Sequence, residues 1–223
     1  MSRIFISLTV VAVGLLAAAI FLGLNVGEYN EQYQEFVSVT KELRSLQRKR
    51  QMDSPEAAAW LDKSAALKDQ LQPLRKKAKL HMMVGLLAGL VSLLVNSIAI
   101  TYFIGTNRWC KEVVGAYHLD TGYILQTNRL KRLTFPWALL GMLTILVIAA
   151  LGASSDPGTL SPTTATWVPR HFWAAMLGVS FIAISFMIQV TNISANSELV
   201  DKIVDEVRQA RIARGLSVDE NPA

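Results

Sequence analysis

The sequence predicts an all-α integral membrane protein with four transmembrane helices, and three observations lead to this fold class. The chain of 223 residues is 52% hydrophobic and only 17% charged, which is too apolar for an ordinary soluble domain. Four segments long enough to cross a bilayer contain no Lys, Arg, Asp or Glu in their interior. The segments between them are polar, and their apolar residues recur at helical spacing.

The four spans follow from the uncharged runs. A hydrocarbon core of about 30 Å needs roughly 20 apolar helical residues, and residues 80–107 exceed that length. Residues 1–27 are predicted to be the first span, an uncleaved signal anchor, because their apolar run is longer than the roughly 7–15 residues of a signal peptide. Residues 135–153 and 171–197 are the third and fourth spans.

Residues 28–79 are predicted to form an extramembrane helical hairpin between spans 1 and 2. Apolar residues follow a helical stripe on each side of a break at residues 53–56, where Ser54 is a capping residue and Pro55 suits the first helical turn. Such a hairpin suits a sensory or partner-docking stalk, or it packs only on itself or on a second copy.

The connection at residues 108–134 is predicted to be interfacial and amphipathic. Trp109, Cys110 and Tyr117 fall on one side of a short helix, where aromatic rings suit the depth of the lipid headgroups. Two other segments complete the chain: an irregular Pro- and Thr-rich loop at 154–170, and a C-terminal amphipathic helix and tail at 198–223.

Small and polar residues define the predicted helix-packing faces. In the second span, Gly85, Gly89, Ser92 and Asn96 share one face, and Gly178 lies on a similar face of the fourth span. Small residues let helix backbones approach closely in lipid, and an amide near mid-membrane is expected to bond another helix.

The sequence offers little chemistry. It has no nucleotide-binding glycine loop, zinc-protease motif or nucleophile elbow, and its single cysteine excludes an intramolecular disulfide. No catalytic residue, metal site or obligatory cofactor is therefore expected. The exception is His81 and His171, which begin the second and fourth spans on the same side of the membrane and could ligate a b-type haem or bind a quinone. Two interfacial histidines bonded to headgroups or backbone are the simpler explanation.

The leading functional hypothesis is a non-enzymatic structural, sensory or accessory subunit that acts through helix–helix contacts. A redox subunit using His81 and His171 is the alternative, and a small-solute channel lined by Ser92, Asn96 and Thr101 is the third. The expected partners are membrane lipids and either a second copy or another membrane protein. Nucleic acid is not expected, because the net charge of +5 comes from basic residues that mostly flank the spans.

Topology rests on a nearly balanced count of basic residues. Arg3 precedes the first span and Glu28 follows it, which places both termini in the cytoplasm and the hairpin outside, in a bacterial inner membrane. The basic cluster at residues 75–79 opposes this orientation.

Overall fold

The computed structural model describes residues 2–159, 161 and 163–216, and this part of the chain is helical with no β-strand. A single 3-10 turn, Pro157–Thr159, lies before the last helix. The five α-helices are α1 (Ser2–Leu24), α2 (Tyr29–Arg48), α3 (Pro55–Tyr117), α4 (Gly122–Ser154) and α5 (Thr164–Ala213). Helices α1, α3, α4 and α5 are long and apolar enough to cross a membrane. The predicted all-α class with four spanning helices is confirmed.

The spanning helices expose most of their apolar surface. In the most apolar window of each helix, only 17% to 28% of the residues are buried. Large side chains such as Leu90, Leu177 and Met187 remain 66%, 68% and 70% exposed. In water this surface would drive aggregation, whereas lipid tails solvate it without cost.

The turn between the two arms of the hairpin lies where its sequence punctuation predicts it. Helix α2 ends at Arg48, and Arg50 just beyond it adopts a left-handed backbone with φ 55°. Helix α3 begins at Pro55, and the Ser54 hydroxyl accepts a hydrogen bond of 3.1 Å from the Ala57 N–H. An ion pair of 2.9 Å joins Glu35 on α2 to Lys63 on α3, but both side chains are about half exposed, so it contributes little to stability.

Helix α3 is longer than its predicted segments. It passes through Pro73 without interruption, because the carbonyl of Asp69 that loses its partner belongs to an exposed residue and can bond water. It also continues from the span to Tyr117 without a break, so the predicted short interfacial helix is its last part. No proline interrupts residues 105–117, and each of the two helical glycines there, Gly105 and Gly115, costs only about 1 kcal/mol.

The expectation of an irregular loop over residues 154–170 is partly wrong. Helix α5 already begins at Thr164, and Pro169 lies inside it. The carbonyl that Pro169 leaves unpaired belongs to Ala165, which is exposed. Leu160 and Pro162 of this loop, and residues 217–223 of the predicted tail, lie outside the described residues.

Contacts divide the chain into two compact units. One unit contains residues 1–12, 91–144 and 180–223. The other contains residues 13–90 and 145–179, including the hairpin.

Candidate functional site

The two histidines that begin the second and fourth predicted spans lie side by side. The ring centroids of His81 on α3 and His171 on α5 are 6.2 Å apart, and the ring planes meet at 65°. His81 Nδ1 lies 3.0 Å from the carbonyl oxygen of Ala19, the only acceptor in this contact, so His81 donates from Nδ1. His171 Nδ1 is buried without a hydrogen-bond partner, although the backbone of Ile148 lies beside its ring.

Each ring occupies a notch at a glycine of a neighbouring helix. A Cβ atom on Gly23 of α1 would lie 2.9 Å from His81 Cε1. A Cβ atom on Gly152 of α4 would lie 3.1 Å from His171 Cε1. Any larger residue at either position would displace the ring, so the two glycines and two histidines form one packed cluster.

The surroundings of the pair suit an ion-sized ligand better than a porphyrin. A haem plane must enter between the two rings, yet both rings are packed against helix backbones at Gly23 and Gly152. Two open grooves of the described residues are lined by other residues, one on α2 and one between α4 and α5. Haem or quinone binding by His81 and His171 therefore stays a prediction that this geometry does not favour.

A second cluster of polar residues lies in the other unit. Eight polar side chains are at most 3% exposed there, in helices whose outer surface is apolar. They are Ser92, Asn96, Asn107, Thr127, Thr134, Ser185, Gln189 and Asn196. Buried polar groups in an apolar surrounding need partners, and most of these have one.

Asn96 makes the interhelical bond that its position predicts. Gln189 Nε2 of α5 donates to Asn96 Oδ1 of α3 at 2.9 Å, and Asn96 Nδ2 donates to its own helix at the Ser92 carbonyl. The Ser185 hydroxyl donates to the carbonyl of Trp137 on α4. The Ser185 hydroxyl oxygen in turn accepts a hydrogen bond from Gln189 Nε2. Two atoms of this group, Gln189 Oε1 and Ser92 Oγ, are buried without a partner.

Asn196 joins three helices. Its Nδ2 lies 3.1 Å from both the Tyr102 hydroxyl and Thr106 Oγ1 of α3. Its Oδ1 accepts a bond of 2.8 Å from Thr127 Oγ1 of α4. Asn192, one turn earlier on α5, donates to Thr134 of α4 at 3.1 Å. We call this set and the Asn96–Gln189 pair the amide network.

The predicted packing residues have unequal surroundings. Gly89 faces Ile145 of α4, with 3.5 Å from a Cβ position to Cγ2, and Gly178 is buried. Gly85 does not make the expected close approach, because a Cβ there would meet nothing within 4 Å. Thr101 is exposed whereas Ser92 and Asn96 are fully buried, and the channel that these residues would line stays a prediction.

The predicted interfacial residues pack on protein. Cys110 is fully buried with Leu199 and Ile203 of α5, and Trp109 packs on the same cluster. Tyr117 lies beside Arg214, whose guanidinium is 5.9 Å from its ring centroid. The apolar stripe of this part of α3 therefore faces the C-terminal part of α5, and its depth in a membrane stays a prediction.

The base of the hairpin is tied to the connection between α4 and α5. Asn30 Nδ2 donates to the Ser155 carbonyl at 2.7 Å. Gln34 Nε2 donates to the Thr164 hydroxyl at 2.9 Å and to the Ser161 carbonyl at 3.2 Å. Burial raises the pKa of Tyr29, which lies near this contact area, above its ordinary value.

Comparison with known proteins adds no functional assignment: no family model, no curated protein sequence and no solved structure matches the chain.

Sequence analysis missed most of the amide network. Gln189, Asn192, Asn196 and Thr127 are not among the residues that the sequence patterns single out. A signal was present, because Ser185, Gln189, Asn192 and Asn196 have the helical spacing that identified the face of the second span.

Proposed function

We propose that this chain is a multi-pass integral membrane protein without catalytic chemistry that serves as a structural, sensory or accessory subunit, with the hairpin as its partner-facing element. The observation that carries the proposal is the attachment of the hairpin base to the start of α5 through Gln34 and Thr164. A stalk attached in this way transmits a mechanical load, or the effect of binding a partner, to a membrane helix. A stalk joined by a free linker does not.

The hairpin tip supplies a surface for such a partner. Lys41, Arg44, Arg48, Lys49 and Arg50 are exposed, and the structure gives none of them a carboxylate partner. At about 1.5 Å of rise per residue, the 20-residue helix α2 extends the tip roughly 30 Å from the base of the hairpin. A cationic tip at that distance favours an acidic protein surface beyond the headgroups.

Site-specific photo-crosslinking in native membranes tests this function. A photoreactive residue at Lys49 should give a discrete crosslinked species of fixed mass, whether a homodimer or a complex with one other membrane protein. A photoreactive residue in place of Leu90, which is exposed on the apolar surface of α3, is the matched control and measures crosslinking from random collisions.

Native mass spectrometry in mild detergent supplies the second measurement. A strictly monomeric protein, together with no tip-dependent crosslink, would refute the accessory-subunit proposal. An enzymatic turnover that survives hairpin truncation would refute its non-catalytic part.

The proposed location is a bacterial inner membrane, with both termini cytoplasmic, α1 an uncleaved signal anchor and the hairpin exoplasmic. The support is Arg3 before the first span and Glu28 after it, together with the presence of one basic residue, Arg170, in the 154–170 segment.

Paired cysteine variants in a Cys110→Ser background test the orientation, because both target positions are exposed. Ser38→Cys, on the hairpin, should react with a membrane-impermeant maleimide in intact cells. Gln209→Cys, on the C-terminal part of α5, should react only after permeabilisation. The reverse pattern means that the orientation is inverted and that the hairpin is a cytoplasmic stalk.

A further inference from the structure

The burial patterns of α3 and α5 repeat each other from their histidines onward. Position for position, every residue that is buried between 81 and 103 has a buried counterpart between 171 and 193. The chemistry differs at many of these pairs, such as Asn96 with Phe186 and Ala99 with Gln189. Shared burial with different side chains indicates equivalent structural positions.

Helices α1 and α4 repeat each other in the same way. Every residue that is buried between 5 and 16 has a buried counterpart between 134 and 145, and the same alignment pairs Gly23 with Gly152. Helices α1 and α3 therefore form one two-helix repeat, and α4 and α5 form a second. The hairpin is an insertion in the first repeat, at the place where the second has only the short connection before Thr164.

The histidines are equivalent residues of the two repeats, and their surroundings are equivalent too. His81 lies in the notch at Gly23, and His171 lies in the notch at Gly152. The alignment that pairs these glycines also pairs Ala19, the acceptor of His81, with Ile148, whose backbone lies beside His171. The two rings thus meet as related residues, and the structure gives neither Nε2 atom a hydrogen bond.

The separation of the rings matches that of two ligands on one ion. Imidazole nitrogen binds a metal at about 2.0–2.1 Å, which places the centres of two rings on opposite sides of one ion roughly 6 Å apart. The observed 6.2 Å agrees with that value.

The charge of the surroundings selects the ion. The described residues contain no group of three or more His, Cys, Asp or Glu side chains that could hold a metal, so no carboxylate neutralises an ion at this pair. The cost of removing an ion from water rises with the square of its charge, which favours a monovalent ion here. Among ions that imidazole binds well, Cu(I) is monovalent and accepts two ligands in line.

The geometry points to a binding site for one Cu(I) ion between His81 and His171, with one imidazole from each repeat. His81 donates its Nδ1 proton to the Ala19 carbonyl, which fixes Nε2 as the nitrogen that holds the lone pair. The site needs no residue of the hairpin, so its failure and the failure of the proposed partner-docking function are separate outcomes.

Competition with a chromophoric Cu(I) chelator under reducing conditions tests the site on the full chain in detergent, in a Cys110→Ser background. One Cu(I) per chain should bind. His81→Ala and His171→Ala should each weaken binding by roughly 100-fold or more, and to the same degree, because loss of a ligand exceeds the effect of losing an outer-shell partner. His118→Asn is the matched control; His118 has φ 57°, which Asn tolerates, and binding should not change.

X-ray absorption of the copper-loaded protein keeps the proposal falsifiable if a histidine variant fails to fold. Two nitrogen scatterers in near-linear geometry support the site. Sulfur scatterers would place the ion at methionine and overturn it, as would the absence of stoichiometric binding or unchanged binding after either histidine is replaced.

Discussion

The packing of α3, α4 and α5 should depend measurably on Asn196. Asn196→Ala removes three interhelical hydrogen bonds, two to α3 and one from α4. Such bonds average about 0.6 kcal/mol in a membrane protein, so the loss amounts to about 2 kcal/mol. For a chain of this size, that loss lowers the midpoint of thermal unfolding by about 4–8 °C.

A second variant separates the hydrogen bonds from the volume of the side chain. Asn196→Leu fills the space but makes no hydrogen bond, so it should be about as destabilising as Asn196→Ala. Ser97→Ala is the control, because the Ser97 hydroxyl is exposed and bonds only its own helix at the Leu93 carbonyl. That change should alter stability by less than about 0.5 kcal/mol.

The assay is thermal unfolding of the detergent-solubilised protein. Unfolding is monitored by helical circular dichroism, which needs no cysteine label, and by the fraction of protein recovered on size exclusion. If Asn196→Ala and Ser97→Ala unfold within about 1 °C of each other, the amide network does not join the helices as described. A large loss for Asn196→Ala with full recovery in Asn196→Leu would assign the effect to packing instead.

Three further outcomes follow from the same contacts. Gly23→Ala should be less stable than Gly14→Ala by about 1–3 kcal/mol in the same assay, because its Cβ meets the His81 ring at 2.9 Å whereas a Cβ at Gly14 meets nothing within 4 Å; equal stabilities would contradict the notch. Gln34→Ala removes two hydrogen bonds, worth about 2 kcal/mol, and should speed amide hydrogen exchange in α2 by up to about 30-fold, whereas unchanged exchange would mean that the hairpin base is not attached. Cys110, which is fully buried, should resist thiol reagents until the protein is unfolded, and rapid labelling of the folded protein would disprove its packing on α5.

The spans were predictable because charge is expensive in lipid. The uncharged run at 80–107 lies within α3, and the capping residues Ser54 and Pro55 set the start of that helix. Helix continuity was harder to predict, since proline is a local signal and its cost depends on whether water reaches the freed carbonyl. At Pro73 and Pro169 the residues that carry those carbonyls are exposed, and the helices continue.

The candidate site was only half predictable. Sequence spacing placed His81 and His171 at the same ends of their spans, but the distance between two rings depends on how the helices pack. The two-helix repeat could not be predicted from the sequence for a related reason. Equivalent positions of the two repeats share their burial but not their residue type, as Asn96 and Phe186 show. A comparison of residue identities does not detect such a pattern.

The amide network has a consequence for how the protein responds to an energised membrane. A potential of 100 mV does about 2.3 kcal/mol of work on each elementary charge that crosses it. The side chains that join the helices at Asn96, Gln189 and Asn196 are neutral amides, which carry no gating charge and take up no proton near neutral pH. Collapse of the membrane voltage should therefore leave this part of the protein unchanged.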